Sequence, residues 1–402
     1  MKVYEISIVI ISHASLRQIN RSVYRELMLA VLDLKIVLPS FIISSSGAKI
    51  FHEPAVSADP ELVPLFLNGR NPRTYFYDGL IGFLDGHRPD IILLENDPVS
   101  RLGLMIVFWC RKNERKLICQ SYENIRRDIR STLFSKKWAA LPKNSIIHVL
   151  NHYLAKKIDA ILVVNKESEA LFRRYGYISV VRIPLGYDHR VFFKDDLLKQ
   201  QFRRQLQIPD GTVVVAYFGR MVPQKGVHLL IQALAQLKSS SWMLMLDHAF
   251  DQQDSYNSYI QTLIERYGLL GRVVYFEADH FEIANYMRAS DVMVAPSLTT
   301  HDYKEQYGRT VQEAMACGCI CIVSDSGHLP DLVGDPSLVF REDNVGMICD
   351  KLLLFITNES ARSTYSSILA ERAKTNLTTV QQAVGLKQLI GKLVVESIQV
   401  SK

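Results

Sequence analysis

The chain has 402 residues, 48% hydrophobic and 22% charged, with 47 Lys and Arg against 41 Asp and Glu for a formal net charge of +6. That composition belongs to a folded protein and excludes disorder as its main organisation. At roughly 100–200 residues per domain two or three domains are expected, and +6 alone selects neither nucleic acid nor membrane.

The start, MKVYEISIVIIS, carries Glu5 inside an apolar run and lacks a small-residue cleavage site. It reads as a buried first strand over 3–12, not as a leader. Residues 17–33 have helical period, with Ile19, Val23, Leu27 and Ala30 on one face. Further strands are expected at 35–38, 90–95, 116–120, 160–165 and 180–184. The longest apolar runs, such as 102–110, are shorter than the ~18–20 residues that span a bilayer, so a cytoplasmic protein is expected.

After Pro184-Leu-Gly-Tyr-Asp188 and the polar run 194–204 the pattern restarts, with strands expected at 212–218, 242–246, 273–276, 291–295, 320–323 and 337–340. From 345 onward the period is helical. Apolar strands separated by amphipathic helices indicate parallel sheets covered on both faces. The expected architecture is α/β, with two facing, doubly wound, Rossmann-like domains and a ligand cleft at the carboxyl ends of the strands. The domains are placed at 1–188 and 189–376, with a helix over 377–402 returning to the first. Six cysteines stand at 110, 119, 317, 319, 321 and 349. Cys317-Gly-Cys-Ile-Cys321 runs into an apolar strand, with no His or Cys pair at zinc spacing. Core packing in a reducing compartment is therefore expected, and no metal.

Two segments carry candidate chemistry. In Glu305-Gln-Tyr-Gly-Arg-Thr-Val-Gln-Glu313, two carboxylates stand with seven residues between them, before and within a helix expected over 308–317 and capped by Gly318. Gly308 would expose the backbone N–H groups of Arg309 and Thr310 at a positive helix end, a place for a diphosphate. Phosphate repels carboxylate, so Glu305 and Glu313 would instead accept from sugar and ribose hydroxyls. Taken singly, each Glu reads equally as a solvated helix residue. The second segment, Tyr217-Phe-Gly-Arg220-Met-Val-Pro-Gln-Lys225-Gly226, joins a strand to a helix over 227–237. Gly219 permits close backbone approach, and Arg220 and Lys225 offer a fork and a point charge to phosphate oxygens. It is neither a dinucleotide nor a Walker loop; alone it would be a βα loop with exposed charges.

Together, the E-x7-E pair, the G-R-x4-K-G loop, Ala289–Ser297, Ser326–Asp331 and Pro184–Asp188 resemble family 4 glycosyltransferases over about residues 155–345. The resemblance implies the GT-B fold, a retaining and metal-independent transfer, and a UDP- or GDP-sugar donor with no other cofactor. It implies that Arg220 and Lys225 neutralise the diphosphate, that Glu313 holds the ribose and that Glu305 binds the transferred sugar. Gly219 and the Tyr307–Thr310 backbone (Tyr307, Gly308, Arg309, Thr310) would line the donor. No two aspartates are separated by one residue, so the Asp-x-Asp metal motif of the other common transferase fold is absent. The sequence departs from the family where Ser12-His13 replaces Gly-Gly, where Ser121-Tyr-Glu123 replaces a His, where Asp247-His-Ala249 replaces Gly-x-Gly and where His328 replaces a Gly. His13 shows no partner and reads as a loop or core residue about as readily as an acceptor contact. Glu95 and Glu123 are the other acceptor-side candidates.

The charge divides unevenly. Residues 1–190 hold 27 Lys and Arg against 18 Asp and Glu, or +9, and residues 191–402 hold 20 against 23, or −3. Within 111–143 there are ten basic and three acidic residues beside Leu133, Phe134 and Trp138. Such a stretch suits peripheral contact with anionic membrane or a solvated basic loop. Three readings follow: a transferase acting on a glycan or lipid-linked acceptor, a non-catalytic sugar-nucleotide or glycan binder, and a nucleic-acid binder. The last ranks lowest, since no nucleic-acid motif accompanies the basic stretch.

Overall fold

The computed structural model describes residues 4–29, 31–44, 47–69, 71–125, 141–247 and 255–400. They form two units, Met1–Gly186 with Thr379–Lys402, and Tyr187–Thr378.

In the first unit β1 (Tyr4–Ile11), β2 (Val31–Pro39), β3 (Glu61–Leu65), β4 (Ile91–Leu94), β5 (Lys116–Ser121), β6 (Ala160–Val163) and β7 (Val180–Arg182) make one parallel sheet. Its order is β7-β6-β5-β4-β1-β2-β3. β1 shows what holds it. Successive side chains point to opposite faces, so Val9 and Ile11 enter one core while Ile8 and Ile10 enter the other. Leu386, Leu389, Ile390 and Leu393 of the last helix, Thr379–Val400, complete the second core. The strand is therefore apolar throughout, as a sheet covered on both faces requires.

Three local features differ from expectation. The helical stretch expected over 17–33 is two 3-10 turns, Ala14–Leu16 and Gln18–Arg21, then the helix Ser22–Met28, with β2 starting at Val31. The fully buried Arg21 guanidinium donates to the carbonyls of Ser15 and Glu53 and tightens this chain into turns. β3 is an addition to the expected strands; it contains Pro64, whose missing N–H costs no ladder bond at the sheet edge. Two short hairpins, Phe41–Ile43 with Lys49–Phe51 and Leu67–Asn68 with Phe76–Tyr77, are also additions.

In the second unit β8 (Val213–Tyr217), β9 (Trp242–Asp247), β10 (Val273–Phe276), β11 (Val292–Ala295), β12 (Ile320–Ser324) and β13 (Val339–Phe340) form another parallel sheet, in the order β10-β9-β8-β11-β12-β13. β13 is shorter than 337–340 because Pro336–Leu338 form a 3-10 turn, pinned by the Asp335 side chain on Ser337 N at 2.8 Å. Cys317, Cys319 and Cys321 are buried at the start of β12, packing as small apolar residues.

Each sheet reverses its strand order once, between β1 and β4 and between β8 and β11. Loops leaving such neighbouring strands diverge and open a crevice at their carboxyl ends. Among the described residues no helix is long and apolar enough to cross a membrane.

Candidate functional site

Both candidate segments of the second unit leave strands that flank its reversal point. The loop after β8 turns at Gly219 (φ 147°) and Gly226 (φ 67°). A Cβ on Gly226 would lie 2.0 Å from the Pro296 carbonyl oxygen. Only glycine therefore lets this loop press against the one after β11, where Leu298 N donates to the Gln224 carbonyl at 2.8 Å.

That approach brings Lys225 to Glu305. The ammonium lies 2.6 Å from Glu305 Oε2, and the same oxygen accepts from Ser297 Oγ and Tyr303 OH, each at 2.8 Å. Lys225 Nζ also stands 5.5 Å from the centre of the Tyr303 ring. Glu305 is 8% exposed. Burial alone would raise its pKa, but the Lys225 charge and the hydrogen bonds from Lys225, Tyr303 and Ser297 outweigh burial and lower it. The carboxylate is ionised and fixed. Its backbone is fixed too, because Gly327 (φ 55°) approaches so closely that a Cβ there would meet the Glu305 carbonyl oxygen at 1.9 Å. His328, which departs from the family pattern, donates its backbone N–H to that carbonyl and stacks its ring on Tyr307, 5.1 Å between centres.

Gly308 (φ 90°) caps the helix Arg309–Ala316, and Cys317 follows as its C-cap, with Gly318 (φ 90°) one residue beyond. The unsatisfied first-turn N–H groups of this helix make its start electropositive. Glu313, one turn in and 8% exposed, has its pKa raised to about 7 by burial, with Arg309 at 3.9 Å countering. Tyr307 OH donates to the buried Gln312 Oε1 at 3.0 Å. Thr310 is half-buried; Arg309 and Arg220 are exposed, and Arg220 makes no ion pair among the described residues. The two segments thus supply cations, a helix start and two buried carboxylates, with Lys225 and Glu305 in contact across the two loops. In the sequence Ser297 stands only as the end of the Ala289–Ser297 segment, without a role, and Tyr303 is marked by no motif.

In the first unit, Ser12 and His13 leave β1 and Glu95 leaves β4, the strands of the other reversal point. Glu95 accepts hydrogen bonds from Ser12 Oγ and Tyr24 OH. His13, which the sequence leaves without a partner, has one: its Nδ1 lies 2.6 Å from Tyr77 OH, and its ring meets Tyr75 edge-on at 4.8 Å. Burial lowers its pKa to about 4, so the ring is neutral, and its buried Nε2 has no hydrogen-bond partner among the described residues. Glu123 instead lines a small cavity of about 20 Å³ with Arg73, 3.7 Å away, and Asp97. Of the basic stretch 111–143, residues 126–140 lie outside the described residues, as do 248 and 249 of the altered Gly-x-Gly.

Residues 199–374 match the family of glycosyl transferases group 1. This part of the chain is a group 1 glycosyltransferase domain. It contains both candidate segments, Gly219–Gly226 and Glu305–Glu313. The D-inositol 3-phosphate glycosyltransferase of Stackebrandtia nassauensis is 29% identical over 188 residues, 43% of this chain and 40% of that protein. The lipopolysaccharide core biosynthesis mannosyltransferase LpsB of Rhizobium meliloti is 24% identical over 240 residues, 58% of this chain and 65% of that protein. The chain thus spans less than two thirds of the length of these relatives. Among solved structures, sucrose-phosphate synthase from Thermosynechococcus elongatus superposes with a TM-score of 0.71 at 19% identity, covering 98% of this chain and all of that one. Anabaena Alr3699/HepE in complex with UDP-glucose gives 0.70 at 16% identity, covering 96% of this chain and all of that one. These likenesses extend past the group 1 domain and give the fold: two Rossmann-like domains of the GT-B class.

Proposed function

We propose that this chain is a retaining, metal-independent glycosyltransferase that moves a sugar from a UDP- or GDP-sugar to a glycan or lipid-linked acceptor. The observation that carries the reading is the Lys225–Glu305 pair at the crevice of the group 1 domain, beside the helix start at Gly308. A diphosphate needs cations and free N–H groups, and Arg220, Lys225 and the first turn of Arg309–Ala316 supply them. Glu313 accepts from the ribose hydroxyls and Glu305 from hydroxyls of the sugar. In the transfer the bond from the anomeric carbon to phosphate oxygen breaks and a bond to the acceptor oxygen forms. Products are the glycosylated acceptor, the nucleoside diphosphate and the acceptor's proton. Negative charge grows on the departing diphosphate, and fixed positive groups beside it lower the barrier. The solved Alr3699/HepE complex with UDP-glucose, of the same fold, supports a nucleotide-sugar donor.

The acceptor hydroxyl meets His13 and Glu95, with Glu123 a further contact, and the basic stretch 111–143 makes peripheral contact with the cytoplasmic face of an anionic membrane. The second reading, a non-catalytic binder, draws on Ser12-His13 and Ser121-Tyr-Glu123 standing where the family has other residues. A panel of nucleotide-sugars separates the two. Turnover of one donor with release of its nucleoside diphosphate is expected; binding without turnover, with any acceptor, selects the binder.

A further inference from the structure

The two cations of the loop after β8 are anchored unequally. Lys225 is held by Glu305 at 2.6 Å, and the neighbouring Gln224 carbonyl accepts from Leu298 N at 2.8 Å. Arg220 is exposed, and its guanidinium makes no ion pair among the described residues. What fixes Arg220 is its backbone. Tyr217, the last residue of β8 and 2% exposed, donates its hydroxyl to the Arg220 carbonyl at 2.8 Å. Val222 N donates to the same oxygen at 3.1 Å, so both of its lone pairs are used. The phenol lies against Gly219 (φ 147°), where a Cβ would stand 3.1 Å from the Tyr217 hydroxyl oxygen. Burial pushes the Tyr217 pKa well above its ordinary value, and the Glu305 carboxylate adds to this. The hydroxyl therefore keeps its proton and remains a donor.

We infer that Tyr217 is a positioning residue for Arg220, its buried hydroxyl holding the carbonyl of that residue and so aiming the guanidinium at a diphosphate. The inference rests on the transferase reading for the identity of that ligand. Tyr217 does not touch the ligand itself, because it is buried and its one proton is committed. An arginine side chain loses rotamer freedom when it grips a phosphate. With its Cα already held in place, only the side-chain torsions remain to be ordered, and the cost of binding falls. The rival explanation is that a buried tyrosine needs a partner for its hydroxyl and finds one in this carbonyl. Deleting the hydroxyl would then change stability and leave affinity alone.

The test is calorimetry of UDP and GDP against wild type, Tyr217→Phe, Arg220→Ala and the double variant Tyr217→Phe/Arg220→Ala. Phe keeps the packing of the ring, and the Arg220 carbonyl keeps its bond from Val222, so the fold is retained and is checked by circular dichroism and melting temperature. Tyr217→Phe is expected to weaken the nucleotide that binds wild type by about fivefold, the scale of one neutral hydrogen bond. In the double variant the affinity should equal that of Arg220→Ala, since the hydroxyl acts through the arginine. Tyr177→Phe, which removes a buried hydroxyl that donates to Asn151 in the first unit, should bind as wild type does. Wild-type affinity in Tyr217→Phe overturns the inference and spares the transferase reading. So does a further fivefold loss on top of Arg220→Ala, which would mean that the tyrosine steadies the unit as a whole. Absence of UDP and GDP binding in wild type overturns both.

Discussion

The two reversal points of this molecule are built alike and charged differently. Each places a carboxylate at the carboxyl end of a parallel strand and fixes it with a serine and a tyrosine: Ser297 and Tyr303 on Glu305, Ser12 and Tyr24 on Glu95. At Glu305 a lysine joins them, within reach of an exposed arginine and a helix start. Beside Glu95 stands a histidine that burial keeps neutral, with tyrosines around it. One crevice suits a doubly charged leaving group and the other suits neutral hydroxyls. On the proposed reading, the same scaffold separates donor from acceptor by where it puts its cations.

Four substitutions or titrations break or sharpen that contrast. The largest effect is expected for Glu305→Ala, which should reduce transfer at saturating donor about a hundredfold or more, the scale of a hydrogen bond to a charged group. Its melting temperature should change little, because Lys225 can turn to solvent. Activity equal to wild type would remove Glu305 from the site. Tyr303→Phe takes away one of three donors to Oε2 and keeps the ion pair. A loss of about tenfold in kcat is expected, with the acid limb of the pH–rate profile moving to higher pH as the carboxylate pKa rises. A lower kcat with the limb unmoved would mean that the tyrosine acts by packing.

On the other side, Glu95→Gln should raise KM for the acceptor severalfold while leaving nucleotide affinity unchanged, as kinetics with varied acceptor would show. A change in nucleotide affinity instead would blur the division between the crevices. The smallest effect concerns Glu313. Burial raises its pKa to about 7, so the folded chain holds a proton that the unfolded chain releases at lower pH. The resulting stability is present below the ordinary carboxylate pKa and lost as pH rises through about 7. Ribose hydroxyls accepted by the ionised form should lower that pKa, so nucleoside affinity should rise a few-fold across the same range. A flat pH dependence in Glu313→Gln would tie the effect to this residue.

The crevice of the second unit was legible in the sequence because its geometry depends on glycines. Gly226 and Gly308 occupy positive-φ positions where a Cβ would collide with Pro296 or Leu329, and such needs leave short, spaced motifs. The sheets were legible for a similar reason: strands buried on both faces are apolar without interruption. Ser12, Tyr24, Tyr77 and Glu95 come together from four separate elements, so no spacing announces them. His13 therefore showed no partner until Tyr77 was folded against it. The helix misread over 17–33 belongs with these, since the buried Arg21 that reshapes it bonds to Glu53, 32 residues away.

Calorimetry of UDP and GDP against wild type, Arg220→Ala and Lys225→Ala tests the central claim most directly. Binding of one of the two nucleotides at a single site is expected, weakened about tenfold or more by each substitution through the loss of a charged phosphate contact. If both variants bind that nucleotide as tightly as wild type, the loop from Gly219 to Gly226 does not hold the diphosphate and the account is wrong.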